Sequence, residues 1–247
     1  MTTAVDGLAA DRAALLELCG ELGDGEWRAE SGCPGWSVQD LVSHMGALFW
    51  MVVDPSKLPD TGDVPTELAQ ERLVASRRSM SAEEVVDDYA WVSRAALEVL
   101  AGLEGADAEL PLGDLGTYPA SLVPTAFSFD HFVHIRADLF APRGPLTGPA
   151  PESDELRIGP TLEWIEAALP QQNVEAVAAL TGSVEFVLDG PGARTIGVGT
   201  GPTQCRVKTG ADAFVRCITQ RSDWDRADIE VVGDGPGRAA LRGLHVF

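Results

Sequence analysis

Along the N-terminal part of the chain, apolar residues recur at alternating steps of three and four. Val5, Leu8, Leu15, Cys19 and Leu22, with Arg12 in register, mark one face of a helix that ends near Gly23. Residues 26–36 read as a loop. Ser37 then serves as an N-cap with Asp40 three residues on, a capping box with Asp in place of Glu, so a second helix starts at Val38. Its stripe is Val38, Leu41, Val42, Met45, Leu48, Phe49 and Val52, with His44 on the edge. Asp54-Pro55 ends it, and a polar loop over 59–65 leads to a short helix over 66–80. Ser81 with Glu84 repeats the capping box and opens a third long helix carrying Val85, Tyr89, Val92, Ala96, Val99 and Leu103. Ser121 is expected to cap a fourth. Pro124 is tolerated in its first turn, where the missing N–H would be an orphan, and the helix stops before Pro142.

The period then changes. Residues 143–152 are rich in Pro and Gly and read as a linker. Beyond them a helix over 156–169 precedes segments of period two: Val184, Phe186 and Leu188 alternate with Glu185 and Asp189, and Cys205, Val207 and Thr209 alternate with Gln204, Arg206 and Lys208. These predict half-buried strands of an antiparallel sheet. A helix is expected over 211–221, a strand over 228–232 and a last helix over 236–244. The glycines within 197–202 are expected to form a turn between strands, not a phosphate loop. The pattern gives an α+β fold of two domains, a four-helix bundle over residues 1–142 and a small α/β sandwich-type domain with an antiparallel sheet over residues 153–247.

Charge and length narrow the function classes. At 247 residues with 45% hydrophobic content, the chain can bury a proper core. A net charge of −20 excludes a phosphate-backbone footprint, so no nucleic-acid partner is expected. Cys19, Cys33, Cys205 and Cys217 lie far apart, matching neither a zinc-finger nor a CxxC spacing, and read as reduced thiols. Asp6 and Asp11 stand where a secretory leader would be basic and apolar, and the most apolar window, 41–53, is too short to cross a bilayer. A cytoplasmic protein with no membrane partner is expected, compatible with a monomer or a dimer.

Candidate chemistry concentrates in FSFDHFVHIRADLF, residues 127–140. A helix advances about 100° per residue, so Asp130, His134 and Asp138 stack one turn apart. Such a cluster either holds a divalent metal or is a buried histidine satisfied by carboxylates. Metal sites in bundles are built from facing helices, and His44 with Asp130 and His134 supplies two imidazoles and one carboxylate with open positions. Zn²⁺ is the first choice for that donor set, with Fe²⁺, Ni²⁺ and Mn²⁺ also compatible. His131 is the rival to Asp130, and Asp138 is placed behind the ligands, orienting an imidazole N–H. Arg136 projects to the opposite side as a salt-bridge partner. Cys33 is either a reactive thiol or, as is more usual before a proline, a packed loop residue.

Residues 31–45, SGCPGWSVQDLVSHM, resemble the second-helix signature of the mycothiol-dependent maleylpyruvate isomerase family, within the wider DinB-like metal-binding four-helix group. Cys33, Pro34, Gly35, Trp36, Asp40 and His44 stand at the family's offsets, and the resemblance implies that His44 is a metal ligand. Asp130 and His134, with Asp138-Leu139 behind them, resemble its fourth-helix pattern. Residues 217–234 resemble the closing helix and strand of a sterol-carrier-like C-terminal domain. Arg221 stands there where the family has a Gly-Arg pair, with Gln220 in place of the glycine. The resemblance implies a catalytic Arg221 that reaches a substrate carboxylate, although a surface arginine ending a helix is the alternative reading. It further implies a metal that activates mycothiol, as co-substrate, for isomerisation or S-transfer on a small electrophilic substrate. A metal-dependent hydrolase or lyase that activates water, and a non-enzymatic small-molecule-binding protein, stay open beside it.

Overall fold

A computed structural model describes residues 3–225, 229–233 and 235–247. The N-terminal part contains α1 (Ala4–Glu21), the single turn α2 (Asp24–Trp27), α3 (Val38–Val53), α4 (Thr66–Arg77), α5 (Ala82–Ala101) and, after a short hairpin of β1 (Glu109–Pro111) with β2 (Thr117–Pro119), α6 (Val123–Val133). The four long helices expected from the periodicity are α1, α3, α5 and α6. Both capping boxes form, Ser37 with Asp40 and Ser81 with Glu84. Ser121 does not cap α6. It lies in a 3₁₀ turn over Ala120–Leu122 that leads directly into the helix, and Pro124 in the first turn leaves one fewer donor to satisfy. Nor does the third stripe run through Val99, which is 41% exposed; Leu100, at 0%, is the residue turned inward.

Past Val133 the helix widens into a π-helical turn over His134–Leu139. Such turns are rare and often sit at functional sites. Here the turn carries both His134 and Asp138.

The C-terminal part contains α7 (Glu155–Gln172), the short α8 (Val174–Ala178), β3 (Ser183–Asp189), β4 (Thr195–Gly199), β5 (Thr203–Gly210), α9 (Ala211–Ile218), β6 (Glu230–Gly233) and α10 (Gly235–Gly243). The strand order is β4-β3-β5-β6. β3 with β4 and β5 with β6 pair antiparallel, as expected, whereas the central β3–β5 pair is parallel. The cause is local: both Gly199 and Thr203 pair with Ser183, so residues 200–202 carry the chain across the start of β3 to its far side. Gly197 to Gly199 are therefore strand, and only 200–202 form the expected turn. The final strand was expected from Asp228, which lies outside the described residues; Glu230–Gly233 is the described strand. α9 ends at Ile218, three residues short of Arg221. Among the described residues, no helix is long and apolar enough to cross a membrane.

Two apolar cores result, and α6 feeds both. Leu8, Leu15, Leu41, Met45, Phe49, Tyr89, Val92, Leu100, Ile135 and Leu139 fill the helical core. Phe129, Phe132 and Val133 turn the other way and join Leu162, Trp164, Ile165, Phe186, Val207 and Phe214. A buried ion network lies between. Arg136 grips Asp11 at 2.7 and 3.1 Å and donates to the Glu152 carbonyl at 2.7 Å, while Arg157 Nε approaches Asp11 at 3.1 Å. Arg136 is thus the salt-bridge partner its position predicted, and α1, the π turn and α7 are its setting.

Candidate metal centre

His44 enters the site from the buried face of α3, and Asp130 and His134 enter from α6 and its π turn. Nε2 of His44 stands 3.3 Å from Asp130 Oδ1, and Nε2 of His134 stands 3.4 Å from the same oxygen. The two imidazoles meet edge-on with centroids 5.2 Å apart. One ligand atom from each residue lies within 4.8 Å of the others. Atoms bound about 2.0–2.1 Å from a tetrahedral Zn²⁺ stand roughly 3.3–3.4 Å from one another. The observed contacts thus have the edge length such an ion needs. Oδ2 of Asp130 and Nδ1 of His44 are buried without a hydrogen-bond partner among the described residues. The donor set, two neutral imidazoles and a carboxylate, fits a divalent ion with positions left open.

His131 does not join this set. Its ring is fully buried, packs against Phe49 at 4.9 Å and sets Nδ1 3.1 Å from the Phe127 carbonyl. Burial pushes its pKa down against the pull of Asp130.

Asp138 lies behind His134. Its Oδ2 accepts from His134 Nδ1 at 2.9 Å, which fixes the ring with Nε2 turned toward His44 and Asp130. Arg221 then reaches across from the C-terminal part. Nη2 and Nε donate to Asp138 Oδ2 at 2.9 and 3.3 Å, and Nη1 donates to the Thr219 carbonyl at 2.8 Å. The guanidinium is directed at Asp138 and is largely consumed by it. Gln220 aims it there by adopting φ +60°, the left-handed conformation usual for glycine, which reverses the chain off α9 so that the Arg221 N–H reaches the Arg216 carbonyl at 2.7 Å.

The charges are consistent with a tightly held cluster. Burial raises the pKa of Asp130, but His134 and His44 outweigh it and hold the carboxyl well below its ordinary value. For Asp138, His134 and Arg221 likewise overcome burial and push the value down. Burial pulls His134 down, yet Asp130 and Asp138 raise it well above the usual histidine range.

Two contributors carried no periodic signal. Cys33 is half-buried with Sγ 3.8 Å from His134 Nδ1, whereas the other cysteines are fully buried, with Cys19 and Cys217 pushed up by burial to about 12 and about 11. The CPGW loop that presents Cys33 is docked by the Gly32 N–H on the Asp138 carbonyl at 2.7 Å, and the Trp36 ring stands 5.0 Å from His44. Arg143, assigned to the linker by its composition, donates to the Gly32 carbonyl at 2.6 Å and places Nη1 3.9 Å from Asp138 Oδ1. The Pro and Gly residues around it mask its packing in the sequence.

A helical bundle with a two-histidine, one-carboxylate centre, joined to a small mixed sheet, defines the class. The family description "Mycothiol maleylpyruvate isomerase N-terminal domain" matches residues 8–140, more than half of the chain, and the chain belongs to that family. Among solved structures, the chain is similar to the mycothiol-dependent maleylpyruvate isomerase at 16% identity and TM-score 0.60, covering 91% of this chain and 94% of that one. A histidine-to-alanine mutant of the isomerase matches at 15% identity and TM-score 0.57, covering 90% and 93%. No curated protein matches the chain in sequence.

Proposed function

We propose that this chain is a metal-dependent enzyme that takes mycothiol as co-substrate and isomerises a small electrophilic substrate. The observation that carries the reading is the pair of 3.3 and 3.4 Å contacts from His44 and His134 to one oxygen of Asp130. His44, Asp130 and His134 would hold the ion, with Zn²⁺ the first choice. Bound there, a divalent ion lowers the pKa of a coordinated thiol so that thiolate is present at neutral pH. Asp138 keeps Nδ1 of His134 engaged and its Nε2 free to bind. Arg221 compensates the charge of the fully buried Asp138 and is a positioning residue acting through it. Trp36 and the CPGW loop wall the His44 side. Residues 1–142 and 153–247, joined by 143–152, are the two parts that meet at this site, with Arg221 as the arm from the second to the first. A cytoplasmic setting, where small thiols are kept reduced, suits this chemistry.

The test begins with metal. Full-length protein purified without added metal and then offered Zn²⁺ is expected to bind one ion, and His44→Ala and His134→Ala are each expected to lose it. A wild-type protein that takes up no zinc would refute the reading. Replacing zinc by Co²⁺ and adding mycothiol is expected to shift the visible spectrum as sulfur enters the coordination sphere. An unchanged spectrum with intact metal binding would instead favour activation of water. Product identity then separates isomerisation, which returns the thiol, from S-transfer, which retains it.

A further inference from the structure

The two imidazoles of the metal centre are held in different ways. Nδ1 of His134 donates to Asp138, whereas Nδ1 of His44 is buried with no hydrogen-bond partner among the described residues. A metal-bound histidine ordinarily takes its orientation from a partner on the second ring nitrogen, so the His44 ring needs another support. The CPGW turn supplies it. The Trp36 N–H reaches the Cys33 carbonyl at 3.0 Å around Pro34 and Gly35, and Gly35 takes φ +80°, the region that favours glycine at the third position of such a turn. Cys33, at one end of the turn, stands against His134; Trp36, at the other, sets its ring 5.0 Å from that of His44 at a tilt of 49°. Trp36 is itself anchored from outside the turn. Its indole N–H donates to Glu71 Oε2 of α4 at 2.6 Å, a short, charge-assisted bond. Arg78 holds the other Glu71 oxygen at 3.1 Å and stands 3.4 Å from Asp40, which closes the capping box of α3.

We propose that Glu71 is a positioning residue of the metal centre: through the Trp36 indole it fixes the His44 ring for coordination by Nε2, in place of the hydrogen bond that Nδ1 lacks. The inference rests on reading His44, Asp130 and His134 as the ligand set, and it makes α4, which contributes no ligand, part of the centre's support. Full-length protein is compared with Glu71→Ala, with Glu71→Gln, which keeps an oxygen for the indole, and with Glu67→Ala, which removes the same charge from an exposed position one turn earlier on α4. In metal-free protein at one pH, the indole ring displaces the His44 ring-proton resonances, assigned by their loss in His44→Gln. That displacement is expected to shrink in Glu71→Ala and to persist in Glu71→Gln and Glu67→Ala. Zinc-loaded samples are then stripped with a chromogenic chelator. Zinc is expected to leave Glu71→Ala roughly tenfold faster than wild type or Glu67→Ala, and the visible spectrum of its cobalt form is expected to change. A role in stability alone would lower the melting temperature of Glu71→Ala and leave the His44 resonances and the cobalt spectrum as in wild type, and that result overturns the proposal. A wild type that takes up no zinc sinks the metal reading by itself; His44 resonances that move in Glu71→Ala then still uphold the positioning of the ring, and resonances that stay in place overturn it.

Discussion

His134 is held at both ring nitrogens, Nε2 by Asp130 and Nδ1 by Asp138, and this makes the metal-free protein sensitive to pH. Because its folded-state pKa is raised, its contribution to stability is fully present below about 6.5, the unfolded value, and is lost as pH rises through the folded value. The melting temperature of metal-free protein is therefore expected to fall as pH is raised from about 6.5, while the zinc-loaded form, in which the ion replaces the proton, changes less. A metal-free melting temperature that climbs over that interval would show that His134 is not the group in control. Gln220 is a second residue-scale case. A non-glycine side chain at φ +60° costs about 1 kcal/mol, so Gln220→Gly is expected to stabilise by about that much, read by denaturant unfolding, without altering zinc content.

At the scale of elements, the CPGW loop and the π turn form one surface. Gly32→Ala would press a methyl carbon to 2.7 Å from the Asp138 Cα, which is backbone and cannot swing away. It is expected to lower the melting temperature and weaken zinc binding about tenfold, because the displaced π turn carries the carboxylate that orients His134. Gly20→Ala, in α1 with nothing within 4 Å of its Cβ, is the control and should be neutral or slightly stabilising. The helix that carries His44 was legible because period, cap and breaker agree locally, with Ser37-Asp40 fixing its start; α6, which carries Asp130, was bounded by Pro124 and Pro142 although the expected Ser121 cap does not form. Residues governed by non-local packing were not legible. The periodicity does not say that α6 widens at His134, that Leu100 displaces Val99 from the core, or that β5 crosses to the far side of β3, since each is decided by partners distant in the chain. Arg143 stayed hidden for the same reason, as did the approach of Cys33 to His134.

At the scale of the whole molecule, the two cores are locked together by charge as well as by apolar packing. Asp11 is 1% exposed and faces both Arg136 and Arg157, so it joins α1, the π turn and α7 within one buried network. The apolar side of the lock is α6 with its π turn: Phe129, Phe132 and Val133 of α6 are buried with the sheet, while Ile135 and Leu139 of the turn are buried with the bundle. Neither core closes without that helix, so unfolding is expected as a single transition, with hydrogen exchange in α3 and in β3 showing the same dependence on denaturant. Asp11→Ala leaves the buried Arg136 guanidinium short of its counter-charge, while Arg157 keeps Asp154, and is expected to cost about 3–5 kcal/mol. Because Asp11 touches none of His44, Asp130 and His134, the loss should appear in both regions together, with zinc uptake by the folded fraction expected to match that of the wild type. Two separated transitions, in the wild type or in Asp11→Ala, would instead mean that bundle and sheet are independent bodies and that the Arg221 arm reaches Asp138 across a loose joint.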